Sequence, residues 1–442
     1  MRWRPGYFCD KKSVMQRRRC LMEKKIVISR MDDREKEQLV EIMNSINFKG
    51  FENYHAGASL TVLLEHYNLK KYSYVELWSV PVYGDAYHVK NNGGQVMFLF
   101  TNSYKGRQDF EKWFLKIAGL IEKNIVVLPS EREKKDFSLG EKLQMSVWIL
   151  QMSKIRLSMK EKLFCANLLL SGKRNLDKIS DIIVKRRVRS IVTLADVHLN
   201  DYLVTAYCNG RGIKTVTLQH GFFPADDMFF RYSESDYFLT YSEYTKQLAE
   251  THKKRRGVFV AVGMPDYIGQ SIITRDGKAQ ENFLVLLNGA TDDGQRGNRK
   301  MLKICMEYAE RNHCFFDVKV HPGKKSLKEY QKIVSKRGKF VASKSNVAEL
   351  FEQYDFCVAN VTTMALKAVY MLTPVLLLKE KNEKSFFGLD DSRLNFSNYA
   401  EMEQAVSYIK EDGIEKELVK IREFLCGSTD VSQNYQKFLE KL

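Results

Sequence analysis

The chain has 442 residues, 44% hydrophobic and 12% aromatic, with 71 Lys and Arg against 54 Asp and Glu and a formal net charge of +17. That length exceeds what one hydrophobic core usually supports, and the composition excludes wholesale disorder, a collagenous repeat and a linker-rich design, so two folded domains are expected. The excess of positive charge favours an anionic partner: a nucleotide, an acidic lipid, a charged glycan or nucleic acid.

Residues 1–23 are basic, lack apolar periodicity and carry no apolar h-region, so they read as a disordered extension outside the fold, with Met22 as an alternative start. From residue 24 onward, Val/Ile-rich runs alternate with longer helical patterns. Strands are predicted at "KIVISRM", "VMFLFTN", "NIVVLPS", "SIVTLAD", "TVTLQHG", "YFLTYSE" and "VFVAVGMP", with helices over 109–122, 142–152 and 160–185. Such alternation implies a buried parallel sheet with right-handed crossovers. The first Rossmann-like domain is accordingly set at 24–265 and a polar linker at 266–280. A second α/β domain follows at 281–427, with about five strands in "FLVLLNG", "FFDVKVHPG", "KFVASK", "DFCVANVTT" and "PVLLLKE". Its predicted helices lie near 298–311, 327–336, from Val347 and over 364–372. Three closing helical segments run over 399–410, 414–425 and 432–442, and the last, at 428–442, is expected to pack back on the first domain. No stretch reaches the roughly 18 to 20 uncharged residues that cross a bilayer. The eight cysteines form no CxxC pair, so buried free thiols, a reducing cytoplasmic location and no structural zinc site are expected.

Open α/β sheets bind ligands at the carboxyl ends of their strands, so residues that break the apolar pattern there are the informative ones. In the second domain "VKVHPG" places Lys319, His321 and Pro322 directly after a strand, where a cation and an imidazole can meet a phosphate or simply occupy a turn. Asn288 and Gly289 open a polar loop before a helix, where backbone N–H groups and the helix N-terminus favour an anion. The stretch has neither Walker A nor GxGxxG spacing. Asn360, Thr362 and Thr363 stand at a strand-to-helix junction, where hydroxyls cap a helix or hold a phosphate or ribose. Gly263 ends another strand, and backbone bending alone would account for it. In the first domain Asp196 and His198 follow one strand, and Gln219, His220 and Gly221 follow the next. An acid and an imidazole at neighbouring strand ends form a plausible general-base arrangement, although an acid at a helix start is often only a cap. His55 and Gly57 in "NYHAGASL" are candidates for an acceptor pocket or an ordinary helix start. No DxD motif stands at a clear strand end, the "ADD" of 225–227 reading as a loop, so no metal is expected.

The stretches "SIVTLADVHLNDYLVTAYCNGRGIKTVTLQHGFF", "DYFLTYSEYTKQLAE", "VFVAVGMPDY", "FFDVKVHPG" and "VTTMALKAVYMLTPVLLL", within about 189–379, occur in the order seen in bacterial GT-B transferases. The chain resembles the CDP-glycerol glycerophosphotransferases of teichoic-acid synthesis, bacterial polysialyltransferases and capsule Kdo transferases. The resemblance implies a GT-B fold of two Rossmann-like domains around a cleft, a nucleotide-activated donor (CDP-, CMP- or UDP-linked) held by the second domain, and an acceptor held by the first. It implies that His321 contacts the donor phosphate, that Thr362 and Thr363 match the phosphate-holding hydroxyl pair, and that His220 faces the reaction centre with Asp196 as a rival base. Two departures stand out. Lys367 occupies a position where such families carry an acid, and "TLQHGFF" replaces the aromatic "QTWHGTP" form. The expected activity is transfer of a sugar or polyol phosphate to a hydroxyl of a cell-surface glycan or lipid-linked acceptor, with no permanently bound cofactor. Its expected location is the cytoplasm, peripheral to an anionic membrane surface. The alternatives are a nucleotide-sugar 2-epimerase of the same fold and a non-catalytic polyanion-binding protein. RNP-like stretches and finger spacings are absent, so no specific nucleic-acid partner is expected.

Overall fold

The computed structural model describes residues 31–442 apart from 32, 52–53, 67–68, 83–86, 91–94, 102–107, 123, 131–134, 222–230, 253–256, 270–281, 289–291, 321–326, 335–336, 342–349, 361, 380–386, 391, 412 and 428–429. The predicted strand "KIVISRM" therefore lies outside the described residues apart from Met31. The first half runs through α1 (Asp33–Asn44), α2 (Gly57–His66), α3 (Tyr74–Ser79), β1 (Tyr87–Lys90), β2 (Val96–Leu99), α4 (Gln108–Ala118), β3 (Asn124–Pro129), α5 (Leu139–Gln151), α6 (Met159–Lys185), β4 (Ser190–Thr193), α7 (Leu199–Asn209), β5 (Lys214–Leu218), β6 (Tyr237–Thr240), α8 (Glu243–His252) and β7 (Val258–Ala261). Three of these helices start in the same way. Ser73, Ser138 and Ser158 each accept a bond from the backbone N–H three residues on, and Glu76, Glu141 and Glu161 reach back to the cap backbone. These are capping boxes, which satisfy two otherwise orphaned donors at each helix start.

The first sheet has the order β1-β3-β2-β4-β5-β6-β7. Strand β1 pairs antiparallel with β3 at the edge, and the other pairings are parallel. The sequence pattern misses β1 because its four residues alternate between half-buried and exposed and never form an apolar run. Along β2, β3 and β4 the side chains divide by parity, as a pleated strand requires. Met97, Leu99, Ile125, Val127 and Ile191 face one core with α6 and α7. Phe98, Phe100, Val126, Leu128 and Val192 face the other, which continues into the second domain.

The second half comprises β8 (Asn282–Leu286), α9 (Asp292–Arg311), β9 (Phe315–Lys319), α10 (Lys328–Val334), β10 (Gly338–Val341), β11 (Phe356–Ala359), α11 (Thr363–Tyr370), β12 (Val375–Leu378), β13 (Asn395–Phe396), α12 (Tyr399–Tyr408), α13 (Ile414–Cys426) and α14 (Val431–Leu439). Its sheet has the order β10-β9-β8-β11-β12-β13, all parallel. This is the doubly wound order of dinucleotide-binding domains, with its switch point between β8 and β11. The sheet has six strands where about five were expected, because β13 is only two residues long and leaves no periodic signal. Phe283 of β8 stacks between Phe316 of β9 and Phe356 of β11, with ring centroids 5.2 and 4.9 Å away. These three residues are in register across neighbouring strands, so their stack pins the pairing. The fold class is thus α/β, with two Rossmann-like domains.

After α13 the chain returns to the first domain. Phe438 of α14 meets Tyr237 edge-on at 5.3 Å, and the Leu442 carbonyl accepts a bond from Ser190 Oγ at 3.1 Å. The six described cysteines are buried free thiols, and none of the described helices is long and apolar enough to cross a membrane.

Gly263 seats this return. Its φ of +99° is a left-handed conformation, a Cβ there would stand 2.6 Å from Val431 Cγ2, and Tyr435 donates to its carbonyl at 3.4 Å. Gly263→Ala is expected to cost about 1–3 kcal/mol through strain and overpacking, lowering the melting temperature by a few degrees. Gly140→Ala, in a helix with nothing within 4 Å of the added methyl, is expected to leave stability unchanged or raise it. Differential scanning calorimetry of the two variants separates these outcomes.

Candidate active site

At the switch point of the second sheet, Asn288 and Asn360 follow the ends of β8 and β11, and both are half-buried. Asn298, fully buried in α9, clamps the first of them. Its Oδ1 accepts from the Asn288 N–H at 3.0 Å, while its Nδ2 donates to the Asn288 carbonyl at 3.3 Å and to Tyr330 Oη at 3.2 Å. Gly297 beside it lies against the Asn360 amide, which occupies the space a Cβ would need. The sequence reading missed both Gly297 and Asn298. Their signal was the "GN" one helical turn into the pattern that follows Asn288.

Thr362 is buried and caps α11, its Oγ1 accepting from the Met364 N–H at 3.3 Å, and Thr363 is the first helical residue, half-buried. Lys319, at the end of β9, is 7% exposed, and burial lowers its pKa below the ordinary lysine value. A cation held in this way gains most from an anionic neighbour. His321, Pro322 and Gly289 lie outside the described residues.

On the first sheet His220 follows β5 and packs edge-on against Phe110 of α4, with centroids 5.8 Å apart. Gln219, 1% exposed, holds the turn that presents it. Its Oε1 accepts from the Tyr241 N–H at 2.8 Å, its Nε2 donates to the Gly221 carbonyl at 2.7 Å, and its backbone N–H donates to Leu239. Gln219 and Gly221 thus position the imidazole through β6. His198 stands at the N-cap of α7 without side-chain capping, its carbonyl accepting from the Tyr202 N–H at 2.7 Å. Thr101, after β2, donates to Asp201 Oδ2 at 2.6 Å and closes the switch point of this sheet between β2 and β4.

Two of the expected site residues are enclosed by their own chain. Asp196 has no exposed surface, and its Oδ2 accepts from Ser233 Oγ (2.8 Å), the Glu234 N–H (2.6 Å), the Ser235 N–H (2.9 Å) and Ser235 Oγ (2.9 Å). A carboxylate bonded in this way fixes the 233–235 turn through its Oδ2. Gly263 is packed against Val431, and its carbonyl accepts from Tyr435.

The two carboxyl edges are joined by a short relay. Phe110 touches His220. Trp113, one helical turn further along α4, lies under the Lys367 ammonium at 5.7 Å. Lys367 sits one turn into the helix that Thr362 caps, and it pairs with Asp266 at 2.7 Å. Tyr267 donates to the Lys367 carbonyl at 3.2 Å and stacks on Tyr370. The residue standing where an acid was expected therefore clamps one domain to the other. Among the described residues no group of three His, Cys, Asp or Glu comes together.

No protein family and no curated protein matches the sequence. Among solved structures the chain is similar to an S. aureus MnaA–UDP co-structure, with 11% identity over 79% of this chain and 98% of that one and a TM-score of 0.49. It is also similar to a UDP-GlcNAc 2-epimerase from Neisseria meningitidis bound to UDP-GlcNAc, with 10% identity over 78% and 98% and a TM-score of 0.44. A third is an O-GlcNAc transferase variant from Thermobaculum terrenum, with 11% identity over 94% and 81% and a TM-score of 0.44.

Burial raises the Asp196 pKa above the ordinary carboxyl value, and the four donors oppose that rise only in part. A raised folded pKa contributes stability that is complete below the unfolded pKa and is lost as pH rises through the folded value. Asp196→Asn removes this titration. The melting-temperature advantage of the native chain over Asp196→Asn is expected to shrink as pH rises through that window, and an advantage that grows with pH would contradict the assignment.

Proposed function

We propose that the chain is a nucleotide-sugar-dependent transferase of GT-B type, moving a sugar or polyol phosphate from a CDP-, CMP- or UDP-linked donor to a hydroxyl of a glycan or lipid-linked acceptor. The observation that carries this reading is the relay from His220 through Phe110, Trp113 and Lys367 to the helix capped by Thr362. It ties an imidazole at one sheet edge to phosphate-binding features at another.

The donor's phosphates fit the second domain. Lys319 supplies a cation whose charged form burial disfavours, and a phosphate beside it favours that form. The N-terminus of α11 lies at the same edge, with Thr362 and Thr363 at its start and Asn288 and Asn360 flanking the switch point. His321 is assigned to the donor phosphate on the sequence resemblance. The acceptor enters along the first sheet edge, past His198 and the Gln219–Gly221 turn. His220 accepts the hydroxyl proton as the oxygen attacks the transferred group. The bond to the nucleotide phosphate breaks, and the electron pair leaves on that phosphate, where Lys319 and the helix N-terminus stabilise it.

Thermal-shift titration with CMP, CDP, UDP, GDP and their sugar conjugates tests the donor site. One nucleotide class is expected to raise the melting temperature, and Lys319→Met is expected to abolish the rise. The absence of a shift with every nucleotide, together with steeply salt-dependent binding to long polyanions, would replace this reading with a binding role. Conversion of the sugar nucleotide without any acceptor would identify an epimerase. In the transfer reaction His220→Ala is expected to lower kcat by about 10²–10⁴-fold with the donor-induced shift unchanged. Turnover at the native level in that variant would remove His220 from the reaction.

A further inference from the structure

The first domain carries an apolar face that the cleft does not use. On α5, Leu139, Leu143, Val147 and Leu150 are 76%, 61%, 37% and 70% exposed. At 100° per residue these positions fall within an arc of about 80°, one stripe along the outer side of the helix. The inner side is buried in the ordinary way, with Met145 and Trp148 in the core and the indole N–H donating to the Lys49 carbonyl at 3.0 Å. Val75 on α3 and Met159 at the start of α6 add exposures of 74% and 58%. The three helices are neighbours. Lys160 stands over the Tyr74 ring at 5.7 Å, Phe137 donates to the Ser79 carbonyl just before α5, and α5 packs antiparallel along α6. Scattered exposed apolar residues are ordinary, but a stripe four residues long backed by two neighbouring helices marks an interaction surface.

The rim is basic. Residues 74–79 and 135–162 carry Lys135, Lys142, Lys154, Arg156, Lys160 and Lys162 against Glu76, Asp136, Glu141 and Glu161. Three of the four acids are engaged locally, Glu76 in the α3 capping box. Glu161 closes the α6 capping box, and Glu141 closes that of α5 while Arg174 holds its carboxyl down at about 2. What faces outward is therefore apolar in the middle and cationic around it.

We infer that this face of α3, α5 and the start of α6 docks on an anionic lipid bilayer. Apolar side chains enter the interfacial region while lysines and arginines meet acidic headgroups, which is the pattern of helices that lie in a membrane surface. Charge selects this occupant over the alternatives. A second copy would set one basic rim against another, and the basic residues 1–30 would meet the same repulsion. Gly172 of α6 packs on Leu199 and Leu203 at the start of α7, the helix that follows β4. The thirteen residues of α6 before Gly172 run about 20 Å from that contact to the start of the helix, where Met159 joins the face. The docking stands on this face alone, so it and the donor site fail separately.

Flotation of the full chain with vesicles tests it. Binding is expected to phosphatidylcholine vesicles containing about 30% phosphatidylglycerol, and not to phosphatidylcholine alone. The double variant L143Q/L150Q is expected to weaken that binding at least about tenfold with an unchanged melting temperature and an unchanged nucleotide-induced shift. K154E/R156E is expected to weaken it in low salt. Failure of the native chain to float with anionic vesicles overturns the inference. So does full binding by L143Q/L150Q, which would assign the attachment to another basic region. A change in oligomeric state caused by L143Q/L150Q while vesicle binding persists would instead make the stripe a contact between copies of the chain.

Discussion

The join between the two domains depends on the Lys367–Asp266 ion pair and the aromatic ring beneath it. The ammonium lies 2.7 Å from Asp266 Oδ1 and above Trp113, with both charged side chains about one-fifth exposed. A half-buried pair of this kind adds little net stability, because desolvation offsets most of the attraction. Its contribution is geometric. Removing either partner leaves a charge without its counterion in a partly dry place, so the alternative arrangements of the two domains are the costly ones. Lys116 reinforces the clamp by donating to the Asp266 carbonyl at 3.3 Å, and the Tyr267–Tyr370 stack covers it from the side.

The same logic of enclosed polar groups shapes each sheet edge. Asp196 gathers four donors from the 233–235 turn, Asp201 receives Thr101, Asn298 grips both backbone groups of Asn288, and Gln219 ties the His220 turn to β6. Buried polar atoms without partners are expensive, so each of these networks has few conformations open to it. The turn that carries His220 is tied in this way to β6 by Gln219.

Much of the fold was legible in the residues. The strands from "VMFLFTN" to "PVLLLKE" were found because a strand buried on both faces reads as an unbroken apolar run, and the long helices because their apolar positions recur with a 3.6-residue period. Among the strands, those that escaped were β1, with its half-exposed alternation, and β13, with only two residues. At the site, the imidazole and the lysine at strand ends stood out for their chemistry. Asp196 stood out equally, and its surroundings were not legible: an acid at a strand end looks the same in one dimension whether it faces solvent or four donors supplied by residues 37 to 39 positions away.

From local pattern came the α/β class, the division into two domains and the short list of strand-end residues, because apolar periodicity and turn chemistry act over a few neighbouring positions. Long-range contact settled the rest. The pairing of Lys367 with Asp266 spans 101 positions, the return of the C-terminal helix to Ser190 spans 252, and the outward orientation of the α5 stripe follows from what packs on its other side. Such distances are set by the closure of the whole chain around its cores, and no window of sequence contains them.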